Sequence, residues 1–262
     1  MSFAPYEIPS RSHFVLLSVV QMSDKVIEVI RESLAHWKPV WVVVEGESEG
    51  EELKGLCRVE RHLRVLYSKA ERGHGGAILH ALDLAHKKGF THALCMEADG
   101  RHPVVRVRDF ISLSMAHPQA MIMGTPEFDS SVPWFTVQRR KLMNFLMQIE
   151  TAFAGVGDAM FGYKLYPVEK LREVMHGIRT ARHNDFAPEV AVRLVWAGVQ
   201  PIRLPCDVRK LTSIPPVKSP WRRLQDWARL GWMHVRLLAG FVRKLPSIRK
   251  WRRWKSAEST LD

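Results

Sequence analysis

Met96-Glu97-Ala98-Asp99-Gly100-Arg101-His102-Pro103 follows the strand-like run 91–95 and places two carboxylates one residue apart at its exit. In extended backbone, residues i and i+2 project to the same side, so Glu97 and Asp99 can converge on one point. Paired hard oxygens with room for water suit Mg²⁺ or Mn²⁺ and the phosphates that such an ion carries. The same residues also make an ordinary acidic strand exit, with Asp99-Gly100 as a turn. Which reading holds depends on the fold around them.

Up to about residue 125 the pattern alternates. Apolar β-branched runs at 13–20, 40–44, 63–67, 92–96 and 121–124 read as strands. Helical spacing appears at 24–36, 77–88 and 105–116, and Ser48-Glu49-Gly50-Glu51 offers a capping box for another helix. Val40-Trp41-Val42-Val43-Val44 has the near-continuous apolar character of a strand buried on both faces. Strands separated by helices predict an α/β fold with a Rossmann-like, mostly parallel sheet, and a ligand crevice at the strands' carboxyl ends. Three polar clusters fall at such ends: Glu45-Gly46-Glu47, residues 71–76, and residues 97–102.

Beyond residue 130 the alternation stops. Leu142, Phe145, Leu146, Ile149 and Phe153 define one apolar helical face, a Gly- and Asp-rich loop follows, and then a helix at 185–197 and a strand at 200–208. A Pro-rich linker at 213–220 divides a domain at 1–212 from a basic, Trp-rich tail at 221–262. In that tail Leu224, Trp227, Ala228, Gly231, Val235, Leu238 and Val242 share one helical stripe among arginines.

The chain has 262 residues and a net charge of +12. Residues 203–255 hold fifteen Lys and Arg against Asp207 and Asp226, so the remainder is nearly neutral. A basic amphipathic tail on a neutral domain points to an anionic membrane surface, or else to a packed helix with a solvated basic face. Nucleic acid would explain the tail and not the acidic crevice. No signal peptide or membrane-length apolar run is visible, and three scattered cysteines fit reduced thiols, so a cytoplasmic setting is expected.

The remaining clusters each carry two readings. Glu71-Arg72-Gly73-His74-Gly75-Gly76-Ala77 is either a phosphate-approaching turn before a helix or a tight turn. Glu45 either accepts hydrogen bonds from a base or ribose or lies in a solvated loop. Asp158, within Gly155-Val156-Gly157-Asp158, is a turn former or a catalytic carboxylate. Asp185 and Glu189 are a helix cap and a first-turn charge, or site residues.

The order of these motifs resembles the family-2 glycosyltransferases of the GT-A fold over residues 13–208. Residues 44–50 stand for a DDGS-like turn, 71–77 for an NxGKGxA-like turn, and 97–103 for the DxD motif. Asp158, Gly162, Tyr163 and Lys164 match a DxxxGYK-like segment, and Asp185, Phe186 and Glu189 an FDxE-like helix start. The resemblance is nearest to the enzymes of aryl-polyene and xanthomonadin-type pigment clusters of Gram-negative bacteria, through residues 185–194 and 231–237, and then to polyprenyl-phosphate mannose synthases.

It implies transfer of a sugar, with inversion, from a nucleotide-sugar donor to a lipid-linked or hydrophobic acceptor at the inner face of the cytoplasmic membrane. Glu97 and Asp99 would hold the metal, and Glu45, Gly73, His74 and Gly75 would seat the nucleotide. Arg101 and Lys164 would meet phosphate, with Asp158 as first and Asp185 as second candidate base. The chain departs from the family pattern at Glu97 for Asp, at His74 for Lys, and at Arg101, because a guanidinium cannot ligate a metal. These departures raise a rival reading, a non-catalytic membrane-associated scaffold on a degenerate transferase fold. A nucleotidyltransferase would place a basic Gly-rich loop after the first strand, where residues 19–23 offer none.

Overall fold

The computed structural model describes residues 12–46, 51–69, 72–127, 134–178, 180–208 and 220–258. The expected capping-box residues Ser48, Glu49 and Gly50, the acidic Glu47 and Glu71, and the linker at 213–219 lie outside the described residues.

The first half alternates as expected: β1 His13–Val19, α1 Asp24–His36, β2 Val40–Glu45, α2 Glu51–Val59, β3 Leu63–Ser68, α3 Gly73–Lys87, β4 His92–Glu97, α4 Val107–Ala116 and β5 Met121–Glu127. A 3-10 turn, Val104–Arg106, leads into α4. Then come α5 Trp134–Glu150, β6 Lys164–Pro167, α6 Val168–Met175, α7 Phe186–Trp196, β7 Pro201–Asp207 and α8 Pro220–Glu258. The seven strands form one sheet in the order β3-β2-β1-β4-β6-β5-β7, parallel except for β6.

Period-2 alternation in the strands builds two cores. Phe14, Leu16, Trp41 and Val43 face α3, α6, α7 and α8. Val15, Leu17, Val42 and Val44 face α1 and α4. The sheet is thus buried on both faces, which is why β2 reads as an unbroken apolar run.

β1 has β2 on one side and β4 on the other, and the chain winds outward through β2 and β3 before crossing back to β4. Connections therefore diverge at the carboxyl ends of β1 and β4, opening a crevice there. Glu97 is the register partner of Ser18, and the Ala98 N–H donates to the Ser18 carbonyl at 3.0 Å. The acidic turn sits at this switch point.

β6 and α6 have no counterpart in the sequence expectation. β6 has four residues, too short to show periodicity, and Pro167 closes it. Its antiparallel insertion pairs Lys164 with both Cys95 and Met123, which lays the 158–164 loop against the end of β4.

Both apolar helical faces named from the sequence point outward. α8 packs on the domain through Leu230, Met233, His234 and Leu237, while Leu224, Val235 and Val242 are exposed. On α5, Met147 and Glu150 are buried, whereas Leu142 and Phe145 are exposed. Spacing identifies an apolar stripe without saying what it faces.

Candidate functional site

The turn after β4 is built by its own side chains. Gly100 takes a left-handed conformation, φ 87°, suited to glycine. Asp99 Oδ1 accepts the Arg101 backbone N–H at 3.0 Å, and Asp99 Oδ2 accepts from Arg101 Nε at 2.6 Å. Arg101 Nη2 donates to Glu97 Oε2 at 2.5 Å. The two carboxylates thus converge on one cation, as i and i+2 spacing predicts, and in this structure that cation is the Arg101 guanidinium.

His102, not singled out from the sequence, holds this turn from beneath. Its Nδ1 accepts the Glu97 backbone N–H at 3.0 Å, and its ring stacks on Tyr163 with centroids 5.2 Å apart. Burial is the main force lowering its pKa to about 3, so the ring is the neutral acceptor that this bond requires. Tyr163 in turn donates its hydroxyl to the Pro103 carbonyl at 3.2 Å. Gly162 lies so close that a Cβ there would meet Glu97 Oε1 at 2.8 Å. A His-Pro pair directly after a carboxylate turn was the available signal for this support.

The 158–164 loop brings more charge. Asp158 is buried; its Oδ1 accepts the Met160 N–H at 2.9 Å, and its Oδ2 lies 2.8 Å from Arg140 Nε. Sequence reasoning missed Arg140, which reaches in from α5. Lys164 is fully buried, and its Nζ donates to the carbonyls of Ala159 at 2.7 Å and Phe161 at 2.5 Å. Burial lowers its pKa to about 8, while Asp158 and Glu97 pull it upward. Lys164 therefore organises the loop, with its amine pointing at backbone carbonyls.

Glu45, at the end of β2, keeps Oε1 buried without a hydrogen bond among the described residues, and His74 Nδ1 lies 4.0 Å from it. Helix α3 begins at Gly73, four residues before the expected start, so the glycines form its first turn. The fold itself requires them. A Cβ on Gly73 would meet the Arg182 carbonyl at 2.5 Å, and one on Gly75 would meet Phe186 Cβ at 2.4 Å. The Gly75 N–H is committed to the Arg182 carbonyl at 2.8 Å.

Asp185 precedes α7 and makes no side-chain bond to the helix; its Oδ1 accepts the His183 N–H at 3.0 Å. Glu189 is fully buried, with Oε1 on Arg193 at 2.7 Å and Oε2 on Arg236 of α8 at 2.8 Å. It locks α8 to α7.

The structure thus joins Glu97, Asp99, Arg101, Asp158 and Lys164, with His102 and Arg140, around the end of β4. It places Glu45 with His74 at the end of β2, and Gly73 and Gly75 against the segment preceding Asp185. Among the described residues, no group of three or more His, Cys, Asp and Glu gathers to hold a metal.

No protein-family model and no curated protein matches the sequence. Solved structures do. A mycobacterial protein matches over 89% of this chain and 74% of its own, at 14% identity and a TM-score of 0.57. Residues 1–349 of TarS from S. aureus, crystallised with UDP-GlcNAc, match over 89% of this chain and 72% of that one, at 14% identity and a TM-score of 0.52. A second TarS structure matches over 74% of this chain and 58% of that one, at 14% identity and a TM-score of 0.51. At this identity the likeness concerns the fold, and the chain has a mixed α/β, GT-A-type architecture.

Proposed function

We propose that this protein is a glycosyltransferase, moving a sugar from a nucleotide-diphosphate donor to a lipid-linked or hydrophobic acceptor with inversion. The observation that carries the reading is a carboxylate pair, at the switch point of a GT-A-type sheet, whose oxygens converge on a single cation. The UDP-GlcNAc complex of TarS supports the donor class. The pigment-cluster and polyprenyl-phosphate resemblances support a lipidic acceptor, at the inner face of the cytoplasmic membrane.

The guanidinium of Arg101 marks the point where the two carboxylates converge, and a Mg²⁺ or Mn²⁺ ion replacing it there would be held by Glu97 and Asp99. Such an ion would neutralise the diphosphate and stabilise the departing nucleotide. Arg101, released from the pair, offers planar donors to a diphosphate oxygen. The buried Oε1 of Glu45 accepts from the base or a ribose hydroxyl. His74, in the first turn of α3, lies beside that carboxylate, and Lys164 keeps the loop that carries Asp158 in place.

In the reaction the bond from the anomeric carbon to the diphosphate oxygen breaks, and a bond to the acceptor oxygen forms on the opposite face. With a hydroxyl acceptor, Asp158 takes the proton after exchanging its Arg140 contact, with Asp185 as the second candidate. A phosphate acceptor is already ionised and needs no base.

The scaffold reading has one observation in its favour: Glu97, Asp99 and Asp158 are all engaged by arginines in this structure. Donor hydrolysis across a panel of UDP-, GDP- and CDP-sugars separates the two. Slow release of one nucleotide supports the transferase, whereas no turnover and no calorimetric binding of UDP or GDP with Mn²⁺ leaves the scaffold.

A further inference from the structure

We infer that the outer faces of α5 and α8 together form one docking surface for an anionic lipid bilayer. This rests on the membrane-facing part of the proposed function and not on its sugar chemistry.

The two helices meet along a seam. His234 Nδ1 of α8 lies 2.6 Å from Glu150 Oε1 of α5, and the Arg139 guanidinium stacks on Trp227 at 4.4 Å. α8 enters the domain through Leu230, Met233 and Leu237, and Gly240 presses on Trp196 of α7. At 100° per residue, Leu224, Gly231, Val235 and Val242 lie on the opposite, outward arc. Leu142 and Phe145 occupy the corresponding outward arc of α5. Both outward arcs are apolar and exposed: Leu142 and Phe145 are each 55% exposed, Leu224 58%, Val235 55% and Val242 70%. Phe153, just beyond α5, is held exposed with φ 59°, an uncommon conformation for a bulky side chain.

Charge selects the occupant. Arg139 and Lys141 on α5, and Arg229, Arg243 and Lys244 on α8, are exposed on the same two helices. The acidic residues in 134–150 and 224–244 are Glu150, buried on His234, and Asp226, paired with Arg229. Helix α8 as a whole carries eleven Lys and Arg against two acids. Apolar side chains with Trp and flanking Lys/Arg match an interface of hydrocarbon and anionic headgroups. A second copy would bring like basic rims together. The inner side of α5 holds Arg140 on Asp158, so docking places the candidate base about one helix diameter, ~10 Å, from the headgroups, within reach of a lipid-borne acceptor.

The test is co-sedimentation of the full chain with phosphatidylcholine vesicles, with and without phosphatidylglycerol, with UDP binding measured in parallel. Native protein should pellet with the anionic vesicles and be released by salt, with Trp fluorescence shifting blue. Leu142→Glu with Phe145→Glu should weaken partitioning about tenfold or more, since a buried Phe alone contributes that much. UDP binding and the circular dichroism spectrum should stay unchanged, and Val235→Glu should act likewise. If the paired α5 variant misfolds, Phe145→Ser with the fluorescence readout replaces it.

Three results overturn the inference: no binding to anionic vesicles, full binding by the α5 variants, or a dimer in sedimentation that Phe145→Glu dissociates. Vesicle binding by a protein that binds no nucleotide would instead sink the sugar reading and leave the docking surface standing.

Discussion

Arg101→Gln should turn the carboxylate pair into a stronger metal site. In the free protein the guanidinium touches Asp99 at 2.6 Å and Glu97 at 2.5 Å, and all three side chains are about one-third exposed or more. An incoming ion must displace two ion pairs of this kind, each contributing about 0.2–1 kcal/mol at such exposure. Removing the competitor therefore returns about 0.4–2 kcal/mol to metal binding, a gain of about 2- to 30-fold in affinity. Glutamine retains length and polarity but no charge, so the turn, fixed by Gly100 and by His102 beneath it, should persist. Mn²⁺ titration followed by electron paramagnetic resonance measures the gain without any need for turnover. With donor present, the same variant should bind the nucleotide more weakly, because Arg101 no longer meets the diphosphate. Unchanged or weaker Mn²⁺ binding in the variant would refute the competition, and would make Arg101 itself the cation of the site.

Other perturbations probe the supports. Gly75→Ala puts a methyl 2.4 Å from Phe186 Cβ, and such overpacking should cost about 1–3 kcal/mol in urea denaturation; a neutral result would mean that the 182–186 segment yields freely. Glu189→Gln uncharges the buried link between Arg193 and Arg236, so hydrogen exchange along α8 should rise, and an unchanged pattern would show that apolar contacts alone hold the helix. His13 has a pKa lowered from 6.5 to about 4, chiefly by burial and secondly by the stacked His92. The unfolded chain therefore binds more protons between those values, and the stability this group confers is present above pH 6.5 and lost as pH falls through 4. His13→Gln should flatten that part of the stability profile, and a parallel profile would place the acid sensitivity elsewhere.

The sheet was legible because burial on both faces leaves strands as apolar runs, as at 40–44, and because α1 is a clean amphipathic helix. β6 was not, since four residues between neighbouring strands carry no period of their own. The carboxylate pair was readable from i and i+2 spacing, but its supports were not. His102 and Arg140 act through contacts five residues back and eighteen residues ahead, and only the tertiary arrangement makes those contacts meaningful. The glycines before Ile78 carry two readings at once: a phosphate turn and a packing requirement leave the same sequence, and Phe186 supplies the packing. Amphipathic spacing in α5 and α8 marked the right residues while leaving open whether core or solvent lay opposite.

The central claim is that a nucleotide-sugar diphosphate is held at the Glu97–Asp99 turn. Sugar transfer from the donor identified by the hydrolysis panel to a membrane lipid extract, compared between native protein and Asp99→Ala, tests it most directly. The account predicts loss of nearly all turnover in a protein that retains its native circular dichroism. Full turnover by Asp99→Ala would contradict it.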